Sequence, residues 1–197
     1  MYKILTKKIL NPTVTLMEVD APMIAKKAEP GQFIILRVDA EGERIPLTIA
    51  DFDREKGTIT IIFQIVGATT EKLNHLEEGE FIHDFVGPLG VPSHTEGLKK
   101  VAVVGGGVGC AIAYRIAKKL HHRGAEVHSI VGFRNKDLVI LEDEFKPASD
   151  VMKLMTDDGS HGEKGLVTNA LEELIKAGNQ YDEVIAIGPL VMMKFVC

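Results

Sequence analysis

Glycines that follow an apolar run near the middle of the chain carry the clearest chemical signal in the sequence. The stretch Val101-Ala-Val-Val-Gly-Gly-Gly-Val-Gly109 reads as a buried strand that passes directly into a helix. Gly105 would permit a tight turn, Gly107 would let the backbone approach a pyrophosphate, and helix N–H groups from Val108 onward would face the phosphate charge. The pattern predicts a dinucleotide site. Its residues are Gly105, Gly106, Gly107, Val108 and Gly109.

The match to the dinucleotide pattern is partial, because its sixth position holds Cys110 rather than glycine. A glycine-rich turn that serves only to pack a helix against a strand is the alternative interpretation. Three successive glycines after a strand cost conformational entropy that packing alone rarely requires, so nucleotide binding is favoured. We expect Cys110 to be a small residue packed at the start of the helix.

The second strand of this half does not decide between the dinucleotides NAD and NADP. An acidic residue near its end would bind an adenosine ribose, yet the strand ends in Gly132-Phe133-Arg134 without a carboxylate. Arg134 would meet a 2′-phosphate, stack on adenine or lie in solvent. The sequence therefore does not distinguish NAD from NADP.

Two later turns fall on the same predicted rim. Ligands of an open α/β sheet bind at the carboxyl ends of its strands. Asp157-Asp158-Gly159 follows the third strand, and Gly188-Pro189 follows the fourth. We therefore expect both segments beside the glycine turn, although Asp, Gly and Ser also form ordinary turns.

Two segments of the first half have the chemistry to bind a ligand. In Arg44-Ile45-Pro46-Leu47-Thr48-Ile49, a proline that fixes φ stands two residues before a hydroxyl in an otherwise apolar strand. Val66-Gly67-Ala68-Thr69-Thr70 is a turn entering a short helix, whose N-terminus can hold a phosphate group. Each alone would also be an ordinary strand or an ordinary capped helix. Their order ahead of the glycine turn favours a binding role.

The elements that must position these residues differ between the two halves. Up to about Pro92 the chain reads as short strands broken by turns, which predicts a small antiparallel barrel with one short helix, Thr69–Leu76. From Lys100 onward strands alternate with amphipathic helices, which predicts a parallel sheet. We place the boundary near Gly97, giving a β-barrel domain of residues 1–96 and a Rossmann-like α/β domain of residues 97–197.

Composition excludes several classes of protein. Apolar residues make up 45% and charged residues 26% of the 197 positions, as in soluble globular proteins. No apolar run is long enough for a membrane span and no signal peptide is recognisable, so a cytoplasmic protein is expected. The net charge of −5 and the scattered lysines make nucleic acid a poor partner. The two cysteines, Cys110 and Cys197, have no metal-ligand spacing, so no metal site is expected.

Taken together, these motifs resemble the ferredoxin-NADP reductase superfamily over the whole chain. The strand with Pro46 and Thr48, the GPLG stretch Gly87–Gly90, the glycine turn and the IGPxxMM stretch Ile187–Met193 carry the likeness. The stretches ERIPLTIAD, FRNKDLVILEDEF and TDDGSHGEKGLVT are most similar to small subunits of NADH-dependent ferredoxin:NADP oxidoreductase, also known as sulfide dehydrogenase. The electron transfer subunits of dihydroorotate dehydrogenase are the related alternative.

The resemblance implies an electron transfer oxidoreductase subunit with FAD on the barrel and NAD(H) or NADP(H) on the α/β domain. A hydride would pass between the two cofactors. Thr48 would then sit beside the flavin N5, and Thr69 and Thr70 would hold the FAD pyrophosphate. The remaining FAD contacts would come from Arg44, Pro46, Leu47, Ile49, Ile62, Phe63 and Gln64.

Two positions depart from the family pattern. The pattern has Arg three residues before the hydroxyl, where this chain has Ile45, and Arg44 stands one place earlier. Because successive strand side chains point to opposite faces, Arg44 would need a β-bulge to reach the FAD phosphate. Thr69 stands where the pattern has glycine.

The resemblance also implies parts beyond these residues. Such subunits continue past the IGPxxMM helix into a cysteine-rich segment that binds a two-iron two-sulfur cluster, so we expect a fragment of a longer protein. Electrons would leave through that cluster to a larger flavin and iron–sulfur oxidoreductase subunit or to ferredoxin. The histidines form no triad-like pattern and are expected on the surface. A non-catalytic, nucleotide-binding regulatory module is the alternative from another class of function.

Overall fold

The computed structural model describes residues 1–197, which fold as two units, Met1–Ser93 and His94–Cys197. The first unit is built on one seven-stranded antiparallel sheet with two short helices. The sequence predicted only the second helix, because four residues that open with a proline are too few to show a helical period. The elements are β1 (Tyr2–Asn11), β2 (Val14–Asp20), α1 (Pro22–Ala25), β3 (Phe33–Arg37), β4 (Arg44–Asp53), β5 (Thr58–Gln64), α2 (Ala68–Asn74), β6 (Phe81–Ile82) and β7 (Asp84–Leu89).

The sheet of the first unit curls into a nearly closed barrel. Its strands follow the order β6-β1-β2-β5-β4-β3-β7, so the two edge strands are consecutive along the chain. Only His83 separates them, and its N–H donates to the carbonyl of Val38. β6 and β7 are therefore two separate strands at opposite edges of one sheet. The predicted antiparallel barrel is confirmed.

Alternating apolar side chains fill the barrel. Every second residue of a strand points to the same face, and the inward residues Ile34, Leu36, Ile61 and Phe63 are at most 2% exposed. Burying each such side chain contributes roughly 1.5–3 kcal/mol. A register slip of one residue would lose this contribution from a whole strand, so the core determines which residues of each strand remain outside.

The second unit is a five-stranded parallel sheet with helices beside it. Its strand order, β11-β10-β9-β8-β12, reverses between β8 and β12, the place where open α/β sheets bind ligands. The predicted Rossmann-like α/β fold is confirmed, and the two-residue strand β11 was not predicted. The elements are β8 (Lys100–Gly106), α3 (Cys110–His122), β9 (Glu126–Phe133), α4 (Glu142–Phe145), β10 (Val151–Thr156), β11 (Glu163–Lys164), α5 (Val167–Lys176), β12 (Glu183–Ile187) and α6 (Leu190–Val196).

Helix α3 packs against the sheet through small and apolar side chains. Ala113, Ile116, Ala117 and Leu120 recur at helical spacing and are at most 2% exposed. The helix is followed by Gly124 at a φ of +85°, a left-handed conformation that glycine adopts without a Cβ penalty. A 3₁₀ turn, Gly107–Gly109, joins β8 to the first residue of α3. The glycine turn therefore lies directly at the carboxyl end of β8, beside the point where the strand order reverses.

His128 corrects the expectation that the histidines lie on the surface. It is 3% exposed, its Nε2 lies 2.9 Å from a Glu126 carboxylate oxygen, and its Nδ1 lies 2.8 Å from the Tyr181 hydroxyl. The Lys100 ammonium contacts the same Glu126 oxygen at 2.9 Å. These partners satisfy the buried imidazole, which removes the cost of taking it out of water. The group lies at the amino ends of the strands, away from the predicted binding rim.

Membrane-spanning helices and metal-binding clusters are both absent from residues 1–197. None of the helices combines the length and the apolar character needed to cross a bilayer. No group of three or more His, Cys, Asp or Glu side chains is arranged to hold a metal ion. Both cysteines are free, with Cys110 buried and Cys197 exposed.

We expect only one of the two thiols to react in the folded protein. Burial raises the pKa of the Cys110 thiol to about 12, so at pH 8 it remains protonated as well as shielded. Treatment with N-ethylmaleimide at pH 8 should add one label, at Cys197, as read by peptide mass spectrometry. Unfolding in guanidinium chloride is the control and should add two. Labelling of native Cys110 at the rate of Cys197 would contradict this burial.

Candidate functional site

Strand β4 turns every second side chain to the outside of the barrel. Ile49 is 1% exposed, and Ile45 and Leu47 pack against the same core. Arg44 and Thr48 therefore point outward. No register shift interrupts the pairing of β3 with β4, so these two side chains share one face, about 13 Å apart along the strand. Arg44 reaches the face of Thr48 without a bulge.

Neighbouring strands extend the outward face of Thr48 into an apolar row. Thr48 pairs with Phe33, and because Ile49 pairs with Ile61, the antiparallel register places Thr48 opposite Ile62. Thr48 is thus a hydroxyl among half-buried apolar side chains. The row comprises Ile62, Thr48, Phe33 and Leu89.

A second outward row lies one step along the strands and is also apolar. Pro46 pairs with Ile35, and Ile35 pairs with Val86 of β7. Pro46 is exposed and Val86 is 54% exposed. Contiguous apolar surface of this kind is unusual on a soluble protein unless a ligand or partner covers it. The two rows together offer a flat apolar platform.

The third row is ionic. Arg44 pairs with Arg37, and Arg37 pairs with Asp84 of β7. The Arg37 guanidinium lies 2.8 Å from an Asp84 carboxylate oxygen, and the Arg44 guanidinium lies 3.7 Å from it. Hydrogen bonds from His83 and then Arg37 hold the pKa of Asp84 below its usual range. Two arginines and one carboxylate leave a net positive charge at the end of the apolar platform.

The outward face therefore suits an extended ligand with a flat apolar part and an anionic part. Half-buried apolar rows would cover the flat part, and Thr48 would supply one hydrogen bond within them. The exposed Arg44 guanidinium would face the anionic part, because a fork of N–H donors matches phosphate oxygens. The donor set and the spacing fit a dinucleotide with an aromatic ring system.

The turn before α2 is arranged differently from the sequence prediction. The Thr70 hydroxyl accepts from the N–H groups of Val66 and Gly67 and donates to the Gly67 carbonyl. All three hydrogen bonds that this hydroxyl can form are made at the start of the helix, so none remains for a ligand. Thr69 is half-buried, and Gly67 has open space where a side chain would lie. Ligand contact in this turn falls to backbone N–H groups and Thr69.

The α2 turn is tied to the strand pair that carries Arg44. Lys72 of α2 contacts the carboxylate of Asp39, which lies in the loop between β3 and β4. Hydrogen bonds from Lys72 and from the loop backbone hold the pKa of Asp39 below its usual range. The loop and α2 are thereby neighbours on the barrel.

Several predicted barrel residues have their side chains inside. Ile49 and Phe63 belong to the buried core, and Leu47 packs against it, so only their backbone could border a ligand. Ile62 is half-buried and Gln64 is exposed, both on the outer side of β5. Sequence reasoning missed the partners on β3 and β7. The alternation in FIILR shows which side chains share a face, but it does not show that β3 lies beside β4. The missed residues are Phe33, Ile35, Arg37, Asp84, Val86 and Leu89.

In the second unit, packing accounts for three of the four glycines of the glycine turn. Gly105 lies within β8, where a Cβ would meet the Cys110 sulfur at 2.9 Å. A Cβ on Gly106 would lie 2.5 Å from the Met192 sulfur, and one on Gly109 would lie 2.5 Å from the Ile187 carbonyl oxygen. These glycines let a helix, a strand and a turn approach one another. Gly105 therefore serves close packing rather than the tight turn predicted for it.

Gly107 is the glycine that packing does not explain. It has a φ of +55°, and no atom lies within 4 Å of where its Cβ would be. The first helical hydrogen bond is donated by the Cys110 N–H to Gly107, so the preceding N–H groups, including that of Val108, have no carbonyl earlier in the helix. No acidic residue stands in the first turn of α3. This is an open, electropositive helix start suited to an anion.

The other predicted rim residues lie at the same edge of the sheet. The N–H groups of Asp157 and Asp158 donate to the carbonyls of Phe133 and Arg134, which joins the loops after β10 and β9. The Asp158 carboxylate accepts from the N–H and hydroxyl of Ser160, which hold its pKa low and identify it as a turn residue. Arg134 and Asp157 are exposed. Gly159 has a φ of +77°, as the turn requires.

Gly188 and Pro189 complete the rim beside the glycine turn. A Cβ on Gly188 would lie 3.1 Å from the Gly106 backbone, and a Cβ on Gly106 would lie 3.1 Å from the Pro189 ring. The carboxyl ends of β8 and β12 therefore meet at three residues with little or no side chain. The Met192 side chain packs over two of them, because its sulfur would lie 2.5 Å from a Cβ on Gly106 and its terminal methyl 2.8 Å from a Cβ on Gly188.

An antiparallel barrel with an amphipathic outer face, followed by a parallel α/β unit with an open helix start, defines a two-domain protein of the ferredoxin reductase type. No protein-family model matches the chain. The chain is 47% identical to a Thermotoga maritima homolog of the dihydroorotate dehydrogenase B (NAD(+)) electron transfer subunit, over 90% of this chain and 62% of the relative. It is 35% identical to the Fusobacterium nucleatum electron transfer subunit of that name, over 90% and 71%.

A solved structure shows the same fold. An NADH-dependent reduced ferredoxin-NADP oxidoreductase superposes with a TM-score of 0.92 at 42% identity, over 99% of this chain and 70% of that one. The chain thus spans about two thirds of the length of these proteins. The chain belongs to the family of dihydroorotate dehydrogenase electron transfer subunits, within the ferredoxin-NADP reductase superfamily.

We expect Gly109→Ala to destabilise the protein more than Gly67→Ala. The new methyl of Gly109→Ala would press on the Ile187 carbonyl, which cannot move without shifting β12, at a cost of about 1–3 kcal/mol. The methyl of Gly67→Ala enters open space at a φ of −176°, which any residue adopts. Urea unfolding followed by circular dichroism measures both. Equal stabilities of the two variants would contradict the close packing at Gly109.

Proposed function

We propose that the outer face of the barrel binds FAD, that the glycine-turn rim of the second unit binds NAD(H), and that the chain carries hydride between them as part of an electron transfer subunit. The observation that carries the proposal is the three-row face, where an apolar platform with one hydroxyl ends in an arginine. The apolar rows match the isoalloxazine ring, and the arginine at their end matches the phosphates. Membership in the family supports it.

FAD, when bound, supplies a ring system that accepts a hydride at N5, chemistry that no side chain of this protein provides. The Thr48 hydroxyl would orient N5 by one hydrogen bond. Ile62 and Phe33 would cover the ring on either side of Thr48 and exclude water, while Pro46 would support the chain that follows the ring. Arg44 and the N–H groups of the first turn of α2 would hold the phosphates, since both offer N–H donors to anionic oxygens.

The second unit would hold the nicotinamide nucleotide by its backbone. Gly107 and the N–H groups of Val108 and Gly109 would face the pyrophosphate, because that helix start carries a partial positive charge and no carboxylate. Gly188 and Pro189 would form the floor beside it. No general acid or base is needed, which agrees with the absence of a titratable group among the glycines and apolar residues there.

Carboxylates favour NAD over NADP at this rim. Asp157 and Asp158 follow β10, and Arg134 is the exposed cation on the neighbouring loop. Two negative charges beside one positive charge oppose the added 2′-phosphate of NADP. The names of two relatives also include NAD(+).

Electrons would leave this chain toward a partner. We propose that a larger flavin and iron–sulfur oxidoreductase subunit receives them, with ferredoxin as a further acceptor. A two-iron two-sulfur cluster would belong to the part of such proteins that this chain does not match. Electron transfer to a dihydroorotate dehydrogenase is the alternative that the names of the relatives support.

The protein refolded with FAD should be yellow, and anaerobic NADH should bleach the flavin absorbance. Thr48→Val should retain FAD but slow bleaching at least about tenfold, because one hydrogen bond at the reacting atom is lost. Thr60→Val is the matched control, since Thr60 is a half-buried threonine on β5 outside the three rows. Unchanged bleaching in Thr48→Val would overturn the role of Thr48 at N5. FAD binding without any bleaching by NADH would favour a non-catalytic nucleotide-binding module. A protein that stays colourless with FAD would overturn the proposed function.

NADH should reduce the flavin with a kcat/KM at least about tenfold above that of NADPH, a difference of about 1.4 kcal/mol. Stopped-flow absorbance under argon at pH 7 gives both values. Asp157→Asn should narrow the ratio, because it removes one of the charges that oppose the 2′-phosphate. A preference for NADPH in the unaltered protein would contradict the assignment of NAD.

A further inference from the structure

Two arginines face each other directly across β3 and β4. Arg37 and Arg44 are register partners, and both point to the outside of the barrel. Like charges placed directly opposite in an antiparallel pair repel and destabilise it. Such a pair persists only where a counter-charge lies close to both guanidinium groups.

Asp84 is that counter-charge, and it fixes Arg37. The Nε and one terminal nitrogen of Arg37 both lie 2.8 Å from the same Asp84 oxygen, and its other terminal nitrogen donates to the Ala40 carbonyl at 2.9 Å. The Arg37 side chain is 20% exposed. Contacts on three nitrogens leave its planar guanidinium no freedom to swing.

Arg44 is held more loosely by the same carboxylate. Its guanidinium lies 3.7 Å from the Asp84 oxygen that Arg37 binds, and its side chain is 64% exposed. The second Asp84 oxygen is occupied by the Nδ1 of His83 at 2.9 Å. One carboxylate therefore faces two guanidinium groups. The uncompensated positive charge lies at Arg44, which is the more exposed of the two.

We propose that Asp84, held by Arg37, is a positioning residue that aims the Arg44 guanidinium along the outer face toward the phosphates of bound FAD. The inference rests on the proposed FAD site, and Asp84 and Arg37 would not themselves touch the cofactor. Without Asp84, the repulsion from Arg37 would drive Arg44 toward solvent. The opposite role, in which Asp84 masks Arg44 and weakens phosphate binding, predicts the opposite sign for its removal.

The test compares FAD dissociation constants of the apoprotein and its variants by quenching of flavin fluorescence. Asp84→Asn keeps the shape of the side chain and removes its charge, and we expect FAD to bind about fivefold to tenfold more weakly. Glu18→Gln is the matched control, because Glu18 is a half-buried carboxylate on β2 outside the three rows. It should change the constant by less than about twofold.

A double-variant cycle separates positioning from a general effect on folding. Arg44→Gln alone should weaken FAD binding by at least as much as Asp84→Asn. Adding Asp84→Asn to Arg44→Gln should then change the constant by less than about twofold, because there is no guanidinium left to aim. Riboflavin, which has no phosphate, should bind Asp84→Asn and the unaltered protein equally.

Each other outcome has a distinct meaning. Tighter FAD binding by Asp84→Asn would establish masking and overturn the positioning role. Independent, multiplying losses in the double variant would overturn it as well, since they would show that Asp84 acts without Arg44. Failure of the unaltered protein to bind FAD at all would instead refute the FAD site, so the two failures are distinguishable.

Discussion

The register of the β5–β4–β3–β7 ladder is the constraint on which the barrel site depends. Backbone hydrogen bonds fix which residues stand side by side, and burial of Ile34, Leu36 and Ile61 fixes which face is inward. Thr48 and Arg44 are then outward without any interaction of their own. A slip of one residue would turn Ile49 outward and bury Arg44, whose charge has no partner in the core. The same energy that folds the barrel thus orders the site.

Much of the fold was predictable because its signals are local. Alternation and turn residues located the strands, and the change to helical spacing near Lys100 separated a barrel from an α/β unit. The α1 helix and strand β11 were not predicted, because elements of four and two residues are too short to show a periodic pattern. The burial of His128 was not predicted for another reason. Its burial depends on Tyr181, which lies 53 positions away in the sequence and is brought near only by the parallel sheet.

The sequence predicted site residues on β4 but not on the neighbouring strands β3 and β7. Thr48 and Arg44 could be named because they lie in one segment with a recognisable pattern, a proline two residues before a hydroxyl in an apolar strand. Arg37, Asp84 and Val86 could not, because pairing between strands is decided by the whole sheet. For the glycine turn, the sequence pattern could not separate glycines required for packing from a glycine available to a ligand. Its composition indicated a phosphate site, yet Gly105, Gly106 and Gly109 are each required by a close contact, and only Gly107 is left for a ligand.

Packing and binding are therefore not competing explanations for the glycine turn. Because Gly106, Gly109 and Gly188 have no side chains, β8, β12 and the start of α3 approach until backbone meets backbone. That approach brings the N–H groups of the 3₁₀ turn to the carboxyl edge of the sheet and leaves no side chain above them. The His128 group fastens the opposite, amino edge with Lys100, Glu126 and Tyr181. Charged side chains thus hold the amino edge together, while the glycine turn at the carboxyl edge presents backbone N–H groups that can receive an anion.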